Sequence, residues 1–351
     1  MNIHTAGKFS SHMKKIQKTL SQTATLMRNI SRNAKTQEQN IKTTIMKTFI
    51  TTAMAALVSI STFASCSSNR NATEESAMPV TGTELNFKNF NAIENRGSIT
   101  IVYTAGNKYS ARLEERGKHM NIVKQEGETI KISSVKNNGE PNASTETYLY
   151  ITAPEIRKIN NYCNLSFEGT KLNCGSLEIK NVGNGSFRLN EINVKENARL
   201  ENAGNGNMEC KKIKCSNFTL KNSGNLNTEI DVAETEGFDY DNYGNCNLEA
   251  KVSSGTVNLK NSGKIDGNLT ANGTDMAVNN SGNGSIKINY KGGKASIQNN
   301  GIGDINLNIN CDELKTENNG LCTIEVTGNA DNVKLSGSGK ANINVSGLNK
   351  Y

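Results

Sequence analysis

Between residues 177 and 345, apolar and polar residues alternate in short runs, and the same run returns every 19 to 21 residues. Each run is centred on a glycine. An asparagine stands two positions before every one of these glycines except the last. A fixed short period of this kind indicates stacked supersecondary units. The glycines are Gly183, Gly204, Gly224, Gly244, Gly263, Gly282, Gly301, Gly320 and Gly339, and Cys163 fills the equivalent position before the first of them. The asparagines are Asn161, Asn181, Asn202, Asn222, Asn242, Asn261, Asn280, Asn299 and Asn318.

The positions two, four and six residues after each glycine carry no charged residue, whereas the positions between them are polar or charged. Alternation with a period of two predicts a strand with one buried face. Mostly apolar positions four and six residues before the glycine predict a second strand in each unit. The Asn-x-Gly sequence predicts a turn between the strands, because glycine adopts positive φ at no steric cost and asparagine hydrogen-bonds to local backbone.

A unit of about 19 residues cannot bury its own apolar face, so identical units must stack. The sequence therefore predicts an all-β, single-stranded β-solenoid (β-helix) with about 19–21 residues per rung. At about 4.8 Å per rung, ten aligned rungs would extend roughly 43 Å. The recurring asparagines would lie above one another and form a ladder, because an amide has both donors and an acceptor. We interpret this ladder, and the glycines beside it, as structural.

The two ends of the predicted solenoid differ. Residues 84–160 alternate without an evident Asn-x-Gly repeat, and we expect them to form wider, irregular first rungs that cap the N-terminal end. The last repeat runs to Tyr351 without an atypical cap. An open strand edge exposes unpaired backbone groups, so we expect this end to self-associate with another chain or to be closed by its last residues. A monomer in solution with a protected final strand would exclude the pairing.

The front of the chain resembles an export signal. Met46 and Lys47 begin a basic segment, Phe49–Phe63 is an apolar run too short to span a membrane, and small residues precede Cys66. This pattern resembles a bacterial lipoprotein signal, in which the cysteine is acylated and becomes the new N-terminus. The alternative is an ordinary secretory peptide. We therefore expect an exported outer-membrane lipoprotein, facing the periplasm or the cell surface.

These features divide the chain into four segments. Residues 1–45 are an upstream extension of the reading frame or a long basic n-region, residues 46–65 the signal peptide, 66–83 a flexible tether, and 84–351 the solenoid domain. Residues 1–65 carry a net charge of +8, whereas the whole chain carries +7. The solenoid is therefore close to neutral, which argues against a nucleic-acid partner.

Cysteine and histidine give little sign of a metal or cofactor site. Seven cysteines follow Cys66, and most of them fall on inward or turn positions of the repeat, so we expect buried free thiols. Outside the leader, His119 is the only histidine. The short Gly-x-Gly matches belong to repeat turns and lack a phosphate-binding context. We predict no metal, no cofactor and no catalytic residue.

The outward positions offer one group of candidate binding residues. Glu209, Glu229 and Glu249 should stack on consecutive rungs, where they could bind a cation or act as paired carboxylates. The alternative is a solvated face neutralised by Lys211, Lys212, Lys251 and their neighbours. The chain has no tryptophan, so Tyr243 and Tyr162 are the candidate platforms for stacking against a sugar.

With the repeat, the signal and the Tyr148–Pro154 segment together, the chain resembles the Bacteroidetes family called putative auto-transporter adhesin, head GIN domain, a domain of unknown function. The resemblance covers residues 84–351. The sequences that carry it are Phe87–Ile93, Gly97–Ile101, Tyr148–Ile156 and the Asn-x-Gly-x-Gly repeats. The resemblance implies a β-solenoid in a secreted or lipid-anchored protein.

Two classes of function fit these observations. The first is a non-enzymatic, lipid-anchored envelope protein that binds a glycan or a protein through its outward strands, or serves as a scaffold. The second is a polysaccharide lyase or hydrolase on a β-helix. A groove holding carboxylates together with a basic residue would favour the enzyme.

Overall fold

The computed structural model describes residues 80–116, 121–135, 146–338 and 342–350. These residues form one sheet of 20 strands and no helix, and so include no helix that could span a membrane. The predicted leader and signal, and Cys66 and His119, lie outside them. The strands are β1 (Val80–Leu85), β2 (Ala92–Arg96), β3 (Ser98–Ala105), β4 (Ser110–Arg116), β5 (Asn121–Glu126), β6 (Thr129–Ser134), β7 (Glu146–Ala153), β8 (Lys158–Asn161), β9 (Asn164–Cys174), β10 (Leu177–Asn181), β11 (Asn184–Val194), β12 (Asn197–Asn202), β13 (Asn205–Asn222), β14 (Asn225–Asn242), β15 (Asn245–Asn261), β16 (Lys264–Asn280), β17 (Asn283–Asn299), β18 (Ile302–Asn318), β19 (Leu321–Gly337) and β20 (Asn342–Lys350).

The repeats form the predicted β-solenoid, and each rung pairs in parallel with the next, in constant register except at one bulge between β14 and β15. The expectation of two strands per rung is correct only for β9 with β10 and for β11 with β12. We call the turn at each repeat glycine the corner. From β13 to β19, one continuous strand of 17 or 18 residues runs from the residue after one corner glycine to the position two residues before the next one. Backbone pairing with the neighbouring rung continues through the middle of the unit, so the two predicted strands merge.

The change of period from 20 to 19 residues is taken up by a bulge. Ile230 of β14 pairs with Ala250 of β15, and Ala233 pairs with Val252, so two residues of β14 oppose one of β15. One of the two opposing residues of β14 is Val232, whose side chain is 39 % exposed. The buried columns on both sides of the bulge stay aligned.

The N-terminal end is capped by antiparallel strands. β2 and β3 form a rung on top of β8 and β9, and β6 and β7 lie above them, all in parallel. β5 then pairs with β6, and β4 with β7, in the antiparallel sense, and β1 adds to β4. β1 begins at Val80, inside the segment predicted as tether. The irregular cap predicted from residues 84–160 therefore ends the parallel stack with antiparallel strands.

The buried columns match the predicted inward positions. The core is filled by the predicted columns at positions two, four and six after the corner glycine. Most residues at positions four and six before the glycine are buried with them. Leu335 is an exception, because it is 38 % exposed where β19 has no further described rung against its last residues. Thr228 and Thr316 also point inward, and their hydroxyl oxygens have no hydrogen-bond partner among the described residues.

A ladder of buried asparagine amides runs the length of the solenoid. Each side-chain Nδ2 donates to the Oδ1 of the asparagine in the next rung at 2.7–2.8 Å, in nine consecutive bonds. The side chains are at most 2 % exposed. The ladder confirms the predicted column from Asn161 to Asn318 and extends it to Asn95. The expectation that the N-terminal rungs lack the Asn-x-Gly sequence is wrong, because Asn95-Arg96-Gly97 provides it.

The corner glycines are required for a different reason from the one predicted. Positive φ occurs at Gly127, Gly303 and Gly328, and at none of the corner glycines from Gly183 to Gly320. A Cβ atom on one of these corner glycines, for example on Gly244, would overlap backbone of the previous rung, such as the carbonyl oxygen of Gly224. The corner therefore needs glycine because adjacent backbones approach closely.

We predict that Asn222→Ala lowers the free energy of unfolding by about 3 kcal/mol, because buried polar groups lose their partners. The Asn222 side chain accepts from Asn202 and donates to Asn242, both at 2.8 Å, and also donates to two backbone carbonyls. Urea denaturation of the full-length protein measures the change. Asn217→Ala is the matched control, since its amide bonds only at the surface, to Asn197. Equal shifts in both variants would contradict a structural role for the buried ladder.

We also predict that Gly244→Ala destabilises the solenoid by about 1–3 kcal/mol, the usual cost of forcing extra atoms into a packed site. Gly175→Ala should be neutral or slightly stabilising, because no heavy atom lies within 4 Å of the added Cβ. Thermal unfolding of the two variants and the parent protein compares them directly. A Gly244→Ala protein as stable as Gly175→Ala would refute the close approach at the corner.

Candidate functional site

An open groove runs along one face of the solenoid. We call this the first face. It consists of the outward residues at positions one, three and five after each corner glycine. Two hollows of about 600 and 590 Å³ adjoin there and share Asn205 and Gly206. Side chains that line them include Ser98, Tyr148, Asn164, Ser166, Asn184, Ser186, Asn205, Asn207, Asn225, Asn227, Asn245, Asn247, Lys264 and Asp266. The groove therefore crosses consecutive rungs along the solenoid axis.

A second amide ladder lines this groove and was not anticipated from the sequence. Asn164, Asn184, Asn205, Asn225 and Asn245 stand one residue after each corner and bond side chain to side chain at 2.8–3.0 Å. Each interior member uses one N–H and accepts one bond, leaving a second N–H and a carbonyl lone pair free. The sequence does contain a sign of this ladder, because an asparagine recurs directly after the corner glycine. We name this column the outer amide ladder.

The next outward column continues the polar lining. Asn207, Asn227 and Asn247 occupy it on β13, β14 and β15, and Asn227 donates to Asn207 at 2.9 Å. Ser166 and Ser186 precede them on β9 and β11. The lining from β9 to β15 thus carries uncharged amides and hydroxyls at the spacing of the rungs, about 4.8 Å.

Two tyrosines stand at the N-terminal end of the first face. Thr100 of β3 pairs with Ser166 on one side and with Tyr148 on the other, which places Tyr148 in the groove lining. The rings of Tyr148 and Tyr150 stack with centroids 6.2 Å apart, and the Arg116 guanidinium lies over Tyr148 at 5.7 Å. Partial burial raises the pKa of both phenols, so they stay protonated and can donate. Sequence reasoning used this segment to support the family resemblance and did not name Tyr148 as a binding residue.

The predicted glutamate row lies at the edge of the groove. Register places Glu209 beside Glu229, and Glu229 beside Glu249. Glu209 is paired with Arg188 at 3.3 Å, and the same guanidinium contacts Glu168 at 3.5 Å. Within the described chain, no cation lies within ion-pair distance of Glu229 or Glu249, and both are exposed.

The proposed neutralisation of this row is wrong for Lys212. Its ammonium group pairs with Glu234 at 2.8 Å, because Lys212 and Glu234 extend from neighbouring rungs on the next part of the surface. Tyr243, the other predicted binding residue, is 63 % exposed at the corner before Gly244 and does not line the groove. Tyr162 stands at an equivalent corner, beneath Arg96 at 4.3 Å.

The cysteines contribute to the core. All seven in the described part are free, six are buried and Cys163 is half-buried. Burial raises the pKa of the Cys174 and Cys210 thiols to about 12, and that of Cys246 to about 11 despite a hydrogen bond from Tyr240. These thiols are therefore poor nucleophiles. No group of three His, Cys, Asp or Glu residues among the described ones is arranged to hold a metal ion.

The family model described as putative auto-transporter adhesin, head GIN domain, matches residues 89–209 and 276–350, more than half of the chain. The chain belongs to this family. The N-terminal match begins within the cap and ends at Glu209, so it includes Tyr148 and the first three members of the outer amide ladder. Strands β14 and β15, with Glu229 and Glu249, lie between the two matched segments of the head GIN domain.

Several crystal structures are similar to this head GIN domain protein. A putative adhesin from Bacteroides fragilis shares 15% identity over 76% of this chain and 96% of its own, with a TM-score of 0.38. A putative adhesin from Parabacteroides merdae shares 13% identity over 76% and 95%, with a TM-score of 0.33. A putative lipid binding protein from Parabacteroides distasonis shares 16% over 78% and 96%, with a TM-score of 0.32. No curated protein matches the chain.

Proposed function

We propose that this chain is a non-enzymatic, adhesin-like protein of the cell envelope that binds a linear glycan along the groove of its first face. The observation that carries the proposal is the row of outward polar side chains from Ser98 to Asn247, with Tyr148 and Glu146 at one end and inward residues such as Leu165 and Leu226 between them. The family description, which names an auto-transporter adhesin, supports a role in attachment at the cell envelope.

The groove has the chemistry of a carbohydrate site. Amides and hydroxyls offer donors and acceptors without charge, which suits the hydroxyl groups of sugars. The half-exposed ring of Tyr148 adds an apolar surface with a polar edge, a combination common in recognition sites. Because the lining repeats from rung to rung, it suits a ligand that also repeats. A linear polysaccharide has that property.

The non-enzymatic part of the proposal rests on how the charged groups are held. Arg188 is the basic residue of the glutamate row, and its guanidinium is already shared between Glu168 and Glu209. Glu229 and Glu249 are exposed to water on a strand face, and no neighbouring group in the described part of the chain prepares them as a general acid or nucleophile. The buried cysteines have raised pKa values.

We further propose that the mature protein is anchored through a lipid on Cys66 and faces the periplasm or the cell surface. The basic Met46-Lys47 start, the apolar run and the small residues before Cys66 support this. Metabolic labelling with a fatty acid should mark the wild-type protein and leave Cys66→Ala unlabelled. A soluble, unlabelled mature wild-type protein would contradict the anchor, and its intact mass would locate the N-terminus.

We predict that the full-length protein binds linear polysaccharides on a glycan array, and that Tyr148→Ala weakens the strongest interaction about tenfold, as expected for loss of an aromatic anchor. Tyr148→Phe should retain most of the binding, because it keeps the ring. Tyr243→Ala is the matched control, since that tyrosine is exposed outside the groove. Calorimetry with the best array ligand gives the dissociation constants.

Two results would count against the proposed function. Absence of binding to any glycan on the array would remove carbohydrate recognition, and an equal loss in Tyr243→Ala and Tyr148→Ala would remove the groove as its location. The same incubations are analysed for shortened or unsaturated products. Turnover that Glu209→Gln or Glu229→Gln abolishes would establish an enzyme and overturn the non-enzymatic part.

A further inference from the structure

We infer that the groove binds the interior of an extended, uncharged polymer of N-acetylated amino sugars, whose acetamido groups lie against the outer amide ladder. This inference rests on the proposed function and names its ligand class. Three features of the first face carry it: the free hydrogen-bonding groups of the ladder, the length and open course of the groove, and the charges at its edge.

The outer amide ladder offers the complement of an acetamido group. Asn184, Asn205 and Asn225 each donate one N–H to the preceding amide and accept one from the following amide. Each therefore keeps one free N–H and one free carbonyl lone pair directed away from the ladder bonds. An acetamido group also has one N–H and one carbonyl oxygen, so it can donate and accept at the same asparagine. A polymer that carries only hydroxyl groups lacks this fixed pair of one N–H donor and one carbonyl acceptor.

The spacing of the ladder fits a polymer in an extended conformation. Neighbouring asparagines are about 4.8 Å apart, the spacing of parallel strands. A β-1,4-linked pyranose chain advances by nearly the same distance per sugar, and successive sugars are turned by about half a turn, so the acetamido groups of alternate sugars can face alternate asparagines of the ladder. Side-chain rotation of the exposed asparagines can take up the small mismatch.

The open course of the groove favours binding of the interior of a polymer over binding of its terminal sugar. The two hollows share Asn205 and Gly206 in their linings, so they follow one another along the stack. Their lining extends from Tyr148 above β3 to Lys264 and Asp266 on β16. Eight rungs are crossed over this distance, which gives roughly 34 Å. A ligand recognised by its terminal sugar would need a wall at one end.

The charges beside the groove disfavour an acidic polymer. Glu229 and Glu249 are exposed on adjacent rungs without an ion-pair partner in the described part of the chain, and Glu209 shares Arg188 with Glu168. Uronic acids or sulfated sugars would place like charges near these carboxylates, which costs free energy. At the far end, Lys264 and Asp266 stand on the same strand and offset one another in charge.

The test is calorimetry on the full-length protein with oligomers of N-acetylglucosamine from two to six sugars. Cello-oligosaccharides of equal length lack the acetamido group, deacetylated oligomers carry amines, and polygalacturonate is acidic. We expect affinity to rise with each added sugar. We expect the N-acetylated hexamer to bind at least about tenfold tighter than cellohexaose, since two or more hydrogen bonds of about 1 kcal/mol each distinguish them. Peptidoglycan strands, whose muramic acids are charged, should bind more weakly than the uncharged hexamer.

Variants locate the contact. Asn205→Ala and Asn225→Ala should each weaken binding of the N-acetylated hexamer roughly 3- to 10-fold while leaving cellohexaose less affected. Asn217→Ala is the matched control, because its amide also bonds across rungs, to Asn197 at 3.0 Å, but lies outside the groove lining. Thermal unfolding of each variant confirms that the solenoid is intact.

The outcomes separate this inference from the proposed function. Equal affinity for the N-acetylated and cello-oligomers, or affinity that does not change with length, would overturn the inference while groove binding stands. Tighter binding of the deacetylated or acidic polymer would also overturn it. If none of these oligomers binds but another array glycan does, the ligand class is wrong and the proposed function remains. If no glycan binds at all, both fail. An equal loss in Asn217→Ala would refute the position of the site.

Discussion

The buried asparagine ladder fixes the alignment of every rung with the next. From Asn95 to Asn261, each amide donates to the asparagine of the following rung and also to backbone carbonyls around the corner, so a strand that slipped by one residue would leave several buried polar groups without partners. The corner glycine adds a steric condition, because the previous rung's backbone lies where a side chain would begin. Together these two conditions hold the corner in one place along the whole stack. The apolar columns could by themselves tolerate a shift of two residues, whereas the corner cannot.

Alignment of the corner determines what the surface can present. Once the corners are stacked, the residue after each glycine falls in one straight column, and side chains of the same type in that column meet. The outer amide ladder and the glutamate row both arise in this way. The groove is therefore a consequence of repetition: its lining residues are brought together by register, although they are about 20 residues apart in sequence. The cap contributes Tyr148 to the same face because β7 continues the parallel stack above β3.

The sequence was sufficient for the repeating part of the fold, and less so elsewhere. The inward columns, the buried ladder from Asn161 to Asn318 and the free thiols all follow from a period that is visible in the chain. Asn95 was missed because the cap strands separate it from Asn161 by 66 residues, so it falls outside the period. The role of the corner glycine was misjudged because a close backbone approach depends on the neighbouring rung, which local turn preferences do not include. The pairing of Lys212 with Glu234 likewise depends on side-chain direction across rungs.

On the candidate site, the sequence identified the stacking of Glu209, Glu229 and Glu249 but not the groove beside them. The recurring asparagine after each corner was readable as a column, yet its bonding pattern and the hollow it lines require the fold. Tyr243 attracted notice as an exposed aromatic residue, whereas Tyr148 is placed on the first face by the pairing of β3 with β7. That pairing joins segments that are separated along the chain by three strands, β4 to β6, and it has no local sequence signal.

Because a rung contacts mainly its two neighbours, the number of rungs is a free variable of this architecture. Strands β14 and β15 lie between the two segments that the family model matches, and they carry two of the five members of the outer amide ladder. Addition or removal of one rung changes the length of the groove by about 4.8 Å and leaves the chemistry of every remaining rung unchanged. The length of chain devoted to repeats therefore sets the length of the polar surface, independently of what each rung presents.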